Sequence, residues 1–259
     1  MNKDILRPAN RHVLAEFASS NVLLAFDFDG TLAPIVAAPK RARMRATTAR
    51  LMNELSNLYP CVVISGRARA DVLERLGGVP VLGVIGNHGV EPWESSKPLR
   101  DEVHRWQPLL QERLSRLAGV KVENKDFSVS IHYRQSRDKK GARAAIMDAV
   151  AALGDVRVIG GAQVVNILPA EAPHKGTALL SELERLGCET AIYVGDDDTD
   201  EDVFALDEPA RLLTIRVGPK PTSAASYAIG SQADVDELLR VLVSLRETSR
   251  PGRELKSVR

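Results

Sequence analysis

Residues 22–26, Val-Leu-Leu-Ala-Phe, are apolar at every position and then break at once into Asp27, Phe28, Asp29, Gly30 and Thr31. A strand without polar alternation needs cover on both faces, which a parallel sheet between helices supplies. Two carboxylates then fall just beyond the strand's carboxyl end, where open α/β sheets keep their ligand crevice. Like charges so close repel, and a bound cation or a proton on one of them relieves the repulsion. Gly30 provides the permissive turn. An isolated Asp-Gly pair is also an ordinary turn, so the reading depends on what the rest of the chain adds.

The pattern recurs. Residues 61–64 form a second apolar run that leads into Ser65, Gly66 and Arg67, and residues 81–85 a third that ends in Gly86, Asn87, His88 and Gly89. A fourth, 190–194, ends in Gly195 and the acids Asp196, Asp197, Asp198, Asp200, Glu201 and Asp202. Residues 47–58, 69–76 and 175–186 carry apolar side chains at helical spacing, and Gly77 with Gly78 suits a helix end. Residues 1–20 read as a lead-in helix with a packing role, 211–217 as the last strand and 235–245 as a closing helix. Strand alternating with helix predicts an α/β fold built on a doubly wound parallel sheet.

From 95 to 168 the rhythm changes. A long helix is expected over 98–117, strands over 120–125 and 127–134, an Ala-rich helix over 138–153, and strands over 156–159 and 163–168 with Gly160 and Gly161 as the turn. This α-β-β-α-β-β order predicts an inserted α+β domain at 95–168, carried by a core made of 1–94 and 169–259. The charged tail beyond Thr248 reads as a frayed terminus.

With 35 basic against 34 acidic residues, a net charge of +1, no global field draws nucleic acid or an anionic membrane. Neither is expected as a partner, and an anionic substrate must be held by local groups. Cys61 and Cys188 read as buried thiols, with no disulfide framework or zinc site. No run of about 18 apolar residues occurs, and the start lacks a signal-peptide core. A soluble cytoplasmic protein is therefore expected, its oligomeric state left open.

In a parallel sheet the four polar strand ends face one crevice. The acidic run opposite Asp27 suits a hard cation, Mg²⁺ first. Thr31, Ser65 and Lys175 add the hydroxyls and the cation that a phosphate group needs. A carboxylate such as Asp27 can attack phosphorus and form an aspartyl-phosphate. Asp29 would then protonate the leaving alcohol and deprotonate the attacking water. The chain has no G-x-x-x-x-G-K-[ST] loop, which argues against a nucleotide-driven engine.

Four segments together, Asp27 to Leu32, Ser65-Gly66-Arg67, Lys175-Gly176 and Gly195 to Glu201, resemble the haloacid dehalogenase (HAD) superfamily of aspartate-nucleophile phosphatases. Gly86 to Glu91, Glu123-Asn124-Lys125 and His132-Tyr133-Arg134 are similar to the trehalose-6-phosphate phosphatase family within it. The resemblance implies a HAD-like Rossmannoid core with an inserted cap and the hydrolysis of a small phosphorylated sugar. It implies Asp27 as nucleophile, Asp29 as acid/base, and Mg²⁺ held by Asp27, the Asp29 backbone carbonyl and Asp196. Asp197 and Asp200 are implied as supporting acids, and Thr31, Ser65, Gly66 and Lys175 as phosphate-binding groups. Arg67, Asn87, His88, Glu123, Lys125, His132, Arg134 and Asn166 are then candidate substrate contacts. Glu123 and Lys125 are expected two apart on a strand, hence on one face, and His132 and Arg134 likewise. His88, in a glycine-bounded loop, reads as a loop-ordering or cap-contacting residue rather than a metal ligand.

One position departs from the resemblance: Asn166, three residues before Pro169, stands where the family usually has glutamate. Asn carries no charge and also donates hydrogen bonds, which leaves the sugar open. Two alternatives therefore stand beside the leading reading, a phosphatase for another phosphorylated sugar or glycoside and a non-catalytic sugar-phosphate sensor.

Overall fold

The computed structural model describes residues 3–92, 97–161 and 163–249. In chain order its elements begin with β1 (Lys3–Asp4), α1 (Arg11–Ser19), β2 (Val22–Phe26), α2 (Ala46–Ser56), β3 (Cys61–Ile64), α3 (Arg69–Leu76) and β4 (Gly83–Ile85). They continue with α4 (Lys97–Leu114), β5 (Lys121–Asn124), β6 (Val129–His132), α5 (Lys139–Ala151), β7 (Val156–Gly161) and β8 (Val164–Pro169). The last are α6 (Lys175–Leu186), β9 (Thr190–Gly195), α7 (Glu201–Phe204), β10 (Leu212–Val217), β11 (Tyr227–Ile229) and α8 (Val235–Ser249). Two compact units result, one comprising 1–65, 70–85 and 175–259, the other 66–69 and 86–174. The domain edge expected between 94 and 95 and the tail expected to fray both lie outside the described residues, apart from Ser249 in α8.

The first unit holds a seven-stranded sheet in the order β1-β11-β10-β9-β2-β3-β4, parallel at every pairing. β2 explains its own burial. Val22, Leu24 and Phe26 point into the cluster that includes Leu14, Leu51, Leu55 and Leu238, while Leu23 and Ala25 meet Ala178, Leu179 and Leu183 of α6 on the opposite face. Both faces are covered, so no position of the strand tolerates a polar residue. From β2 the chain winds outward through β3 and β4, then returns on the other side of β2 as β9, β10 and β11. The direction of winding reverses between β2 and β9, the place where such sheets bind ligands. Asp27 and Asp196 follow those two strands.

The second unit is an antiparallel sheet, β5-β6-β8-β7. Ile131 and Val165 from one of its faces pack with Val103, Trp106 and Leu110 of α4 and with Ile146 and Val150 of α5. Asp138 caps α5 by accepting from the Gly141 N–H at 2.8 Å.

Four local expectations need correction. Gly160 and Gly161 are strand residues, paired with Val165 and Val164, and Gln163 takes the left-handed conformation at φ 65° in the reversal beyond them. β10 is not the last strand: β11 follows and extends the sheet, although its Tyr-Ala-Ile is too short for a clear apolar run. The lead-in region is not helical throughout, since Lys3–Asp4 pairs with β11 at the sheet edge. Lys125 and Arg134 lie just past the ends of β5 and β6, one and two residues beyond the strands expected to hold them.

Leu24 lies fully buried in the central strand, whereas Ile35 is 75% exposed. Leu24→Ala should lower the unfolding free energy by about 2–5 kcal/mol through lost burial and the cavity left behind. Ile35→Ala should change it by no more than about 0.5 kcal/mol. Urea titration of both variants checks the pair.

Candidate active site

Lys175 opens α6, and its side chain runs inward until it is 1% exposed. A buried ammonium must be paired, and Nζ donates to Asp27 Oδ1 and to Asp200 Oδ1, both at 2.7 Å. Burial acts against the charged amine, but Asp200 and Asp27 outweigh it and raise its pKa above the ordinary lysine value. Burial likewise pushes the Asp27 carboxyl well above the carboxylate range, with Asp200 and Asp196 adding to the push and Lys175 opposing it.

The acidic loop after β9 is organised around Asp200. Its Oδ1 accepts from Lys175 and from the Tyr193 hydroxyl at 2.6 Å, and its Oδ2 accepts from the backbone N–H groups of Asp196 and Asp197 at 2.8 Å each. Asp197 accepts in turn from the Asp198 N–H at 2.7 Å and caps the short turn that follows. Asp196 stays half-buried, with Thr31 Oγ1 donating to its Oδ1 at 3.2 Å. Burial, then Asp200 and Asp197, push its carboxyl up to about 7.

Among the described residues Asp27, Asp196 and Asp200 each bring a carboxylate oxygen within 4.8 Å of the others. The all-oxygen donor set fits a hard divalent cation. Gly30, at φ 85°, gives the cluster room: a Cβ there would stand 2.0 Å from Asp196 Oδ2. Asp200 already receives four hydrogen bonds, from Lys175, Tyr193 and the Asp196 and Asp197 N–H groups.

The first unit thus brings together Asp27, Thr31, Lys175, Asp196, Asp197 and Asp200. Asp29 is half-buried, opens the Gly30 turn, and contributes no carboxylate to the cluster of three. Ser65 follows β3 and is buried, its N–H donating to the Ile85 carbonyl at 2.9 Å.

The other candidates belong to the second unit. Gly66 packs against the His88 ring, where a Cβ would come within 2.4 Å of Cε1. Arg67 accepts the Asn87 N–H on its carbonyl at 2.7 Å. Asn87 Nδ2 donates to Glu91 Oε2 at 2.9 Å and to the Lys125 carbonyl at 3.2 Å, so this side chain ties two loops together. Glu123 faces His132, with Oε2 and Nε2 2.9 Å apart, while Ser130 Oγ donates to Asn166 Oδ1 at 2.6 Å. Glu123, Ser130 and Asn166 occupy one row across three strands, on the face opposite Ile131 and Val165. Arg134 is exposed in the turn after β6.

The sequence profile of the trehalose-phosphatase family matches residues 25–233. The chain belongs to that family. Its members are phosphoric monoester hydrolases of the HAD superfamily. A probable trehalose-phosphate phosphatase D of Arabidopsis thaliana is 30% identical over 93% of this chain and 72% of its own length. A trehalose-phosphate phosphatase of Mycobacterium avium is 38% identical over 69% of this chain, which spans 49% of the mycobacterial protein. The structure of the Candida albicans trehalose-6-phosphate phosphatase C-terminal domain superposes with a TM-score of 0.76 at 22% identity, covering 94% of this chain and 98% of that one. It shares the HAD fold, with a parallel sheet and a separate antiparallel one.

Residue-by-residue reading missed Tyr193, Ser130, Glu91 and Arg216. For two of them a signal existed. Tyr193 carries a hydroxyl inside an otherwise aliphatic strand, and Arg216 carries a charge inside Leu212–Val217.

The Asp196 shift predicts a pH signature for cation-free protein. The group's pKa rises from 3.8 unfolded to about 7 folded, so the folded state holds the proton better. Its stabilising contribution is complete below pH 3.8 and is lost as pH climbs through about 7. Asp196→Asn, neutral throughout, should gain melting temperature relative to wild type across that window and gain no more above it. Thermal melts of both proteins in chelator across the range test this.

Proposed function

We propose that this chain is a Mg²⁺-dependent phosphatase that hydrolyses trehalose 6-phosphate to trehalose and phosphate through an aspartyl-phosphate on Asp27. The observation that carries the proposal is the 2.7 Å contact of the buried Lys175 ammonium with Asp27, inside a carboxylate cluster and in a chain of this family.

The ammonium works against the protonation that burial favours at Asp27, in the direction a nucleophile requires. An Asp27 oxygen bonds to phosphorus as the bond from phosphorus to the sugar oxygen breaks, and Asp29 delivers a proton to that oxygen. Asp29 then takes a proton from water as the water oxygen attacks phosphorus, releasing phosphate and restoring Asp27. Lys175, Thr31, Ser65 and Gly66 orient the phosphoryl oxygens and neutralise their charge. Asp27, Asp196 and the Asp29 backbone carbonyl would hold Mg²⁺. When bound, it supplies the further positive charge that phosphoryl transfer needs. Asp197 and Asp200 keep the loop in shape.

For the second unit we propose the part of an inserted cap that reads the sugar. Arg67, Asn87, His88, Glu123, Lys125, His132, Arg134 and Asn166 are the groups suited to directional hydrogen bonds with hydroxyls. No described helix is long and apolar enough to cross a membrane. A cytoplasmic location belongs to the same reading, supported by two free, buried thiols.

One observation favours a second reading, a different phosphorylated sugar or glycoside. Asn166 spends its acceptor on Ser130, and its amide is left to offer donors where a glutamate would accept.

Phosphate release from trehalose 6-phosphate in Mg²⁺ should fall at least about a thousandfold in Asp27→Asn and should cease in excess chelator. Release by the wild type no greater than that of the variant defeats the phosphatase. A preference of about tenfold for another sugar phosphate, equal to about 1.4 kcal/mol in transition-state binding, favours the second reading.

A further inference from the structure

Behind the acidic loop, near the carboxyl end of β10, stands an arginine that no step above uses. Arg216 is 8% exposed and sits in a strand whose neighbours Leu212, Leu213, Ile215 and Val217 are buried. A guanidinium there loses its hydration and needs full compensation. Its Nη2 donates to the Asp196 carbonyl. Its Nη1 donates to the Asp197 carbonyl at 3.2 Å and to Glu201 Oε1 at 3.1 Å.

Asp200 grips the same segment from the other side through the N–H groups of Asp196 and Asp197. The peptide joining Asp196 to Asp197 therefore has its carbonyl held by Arg216 and its N–H held by Asp200. It cannot turn without breaking both. Lys220 ties the outer edge, donating to Asp198 Oδ1 at 2.8 Å and Glu201 Oε1 at 3.3 Å, and the Ala224 N–H donates to Glu201 Oε2 at 2.9 Å.

Two effects of opposite sign follow from this placement. As a bare positive charge, Arg216 would weaken cation binding at the neighbouring carboxylates. As a forked clamp, it would strengthen binding by holding Asp196 in one direction, as outer-shell partners of metal ligands do. Three acceptors, two consecutive backbone carbonyls and one side chain, match the fork rather than the charge.

We propose that Arg216 is a positioning residue that tightens divalent-cation binding at Asp27 and Asp196 by fixing the Asp196–Asp197 peptide. The inference rests on the cation site proposed above.

Calorimetric titration of Mg²⁺ into chelator-stripped full-length protein separates the two effects. Arg216→Lys keeps the charge and loses the fork, while Arg216→Met loses both. Positioning predicts that both weaken Mg²⁺ by about tenfold or more, with the substrate KM at saturating Mg²⁺ unchanged. Unchanged binding in Arg216→Lys, or unchanged or tighter binding in Arg216→Met, overturns the proposal. If circular dichroism shows that these variants do not fold, Glu201→Gln weakens the arginine's side-chain anchor and should shift the Mg²⁺ affinity in the same direction. Its failure to do so overturns the proposal equally. Wild-type protein that binds no Mg²⁺ overturns the cation site itself, whereas wild-type binding with unaffected variants overturns only the role of the arginine.

Discussion

Burying the Lys175 ammonium is the commitment on which the site depends. A primary amine at 1% exposure is tolerable only with anions in contact, and the fold supplies Asp27 from β2 and Asp200 from beyond β9. Each contact joins segments far apart in the chain, so the ion pairs form only once the sheet has assembled. Removing both acids would leave the ammonium stranded in the interior, which costs more than the pairs themselves contribute. Asp200 is in turn saturated by Tyr193 and two backbone N–H groups. The lysine, its acids and the loop therefore stand or fall together.

The parallel sheet makes this economical. β2 is apolar along its whole length and its chemistry gathers at its end, while polar exceptions in β9 and β10, Tyr193 and Arg216, reach the same acidic loop. The reversal of winding between β2 and β9 leaves the two ends adjacent, with Phe26 paired to Val194 just before the acids begin. Gly30 completes the geometry from the opposite direction, because any side chain would occupy the place of the Asp196 carboxylate.

This logic accounts for what the sequence made legible. Apolar runs that end abruptly in polar clusters announce both a buried strand and a site, so β2, β3 and β9 and the grouping of Asp27, Lys175 and Asp196 were legible in the sequence. The weak points are those where the local signal is thin. β1 and β11 are two and three residues long and owe their form to pairing with neighbours. Gly160 and Gly161 look like a turn but extend a strand, because pairing with β8 overrides the local preference of glycine. Lys125 and Arg134 fell one or two residues beyond strands whose ends are set by hairpin geometry. Tyr193 and Arg216 stayed hidden for another reason: their partners are backbone groups and loop acids that no spacing rule connects to them.

Charge balance links the site to its proposed chemistry. Asp27, Asp196 and Asp200 set three carboxylates against one ammonium, and two negative charges remain. A single divalent cation would cancel that excess, and the same repulsion adds to burial, the larger cause, in raising the Asp27 and Asp196 carboxyl pKa values. A phosphate ester approaching the uncompensated cluster would meet like charge, and that repulsion would reach Asp27, the proposed nucleophile. Arg216 does not relieve this excess, because its charge is matched by Glu201 and its fork is turned to backbone carbonyls. The protein thus holds one cation, Lys175, at the reacting carboxylate and uses the other to shape the loop. In the proposed reading the remaining neutralisation falls to a divalent cation, and readiness to bind phosphate would follow its occupancy.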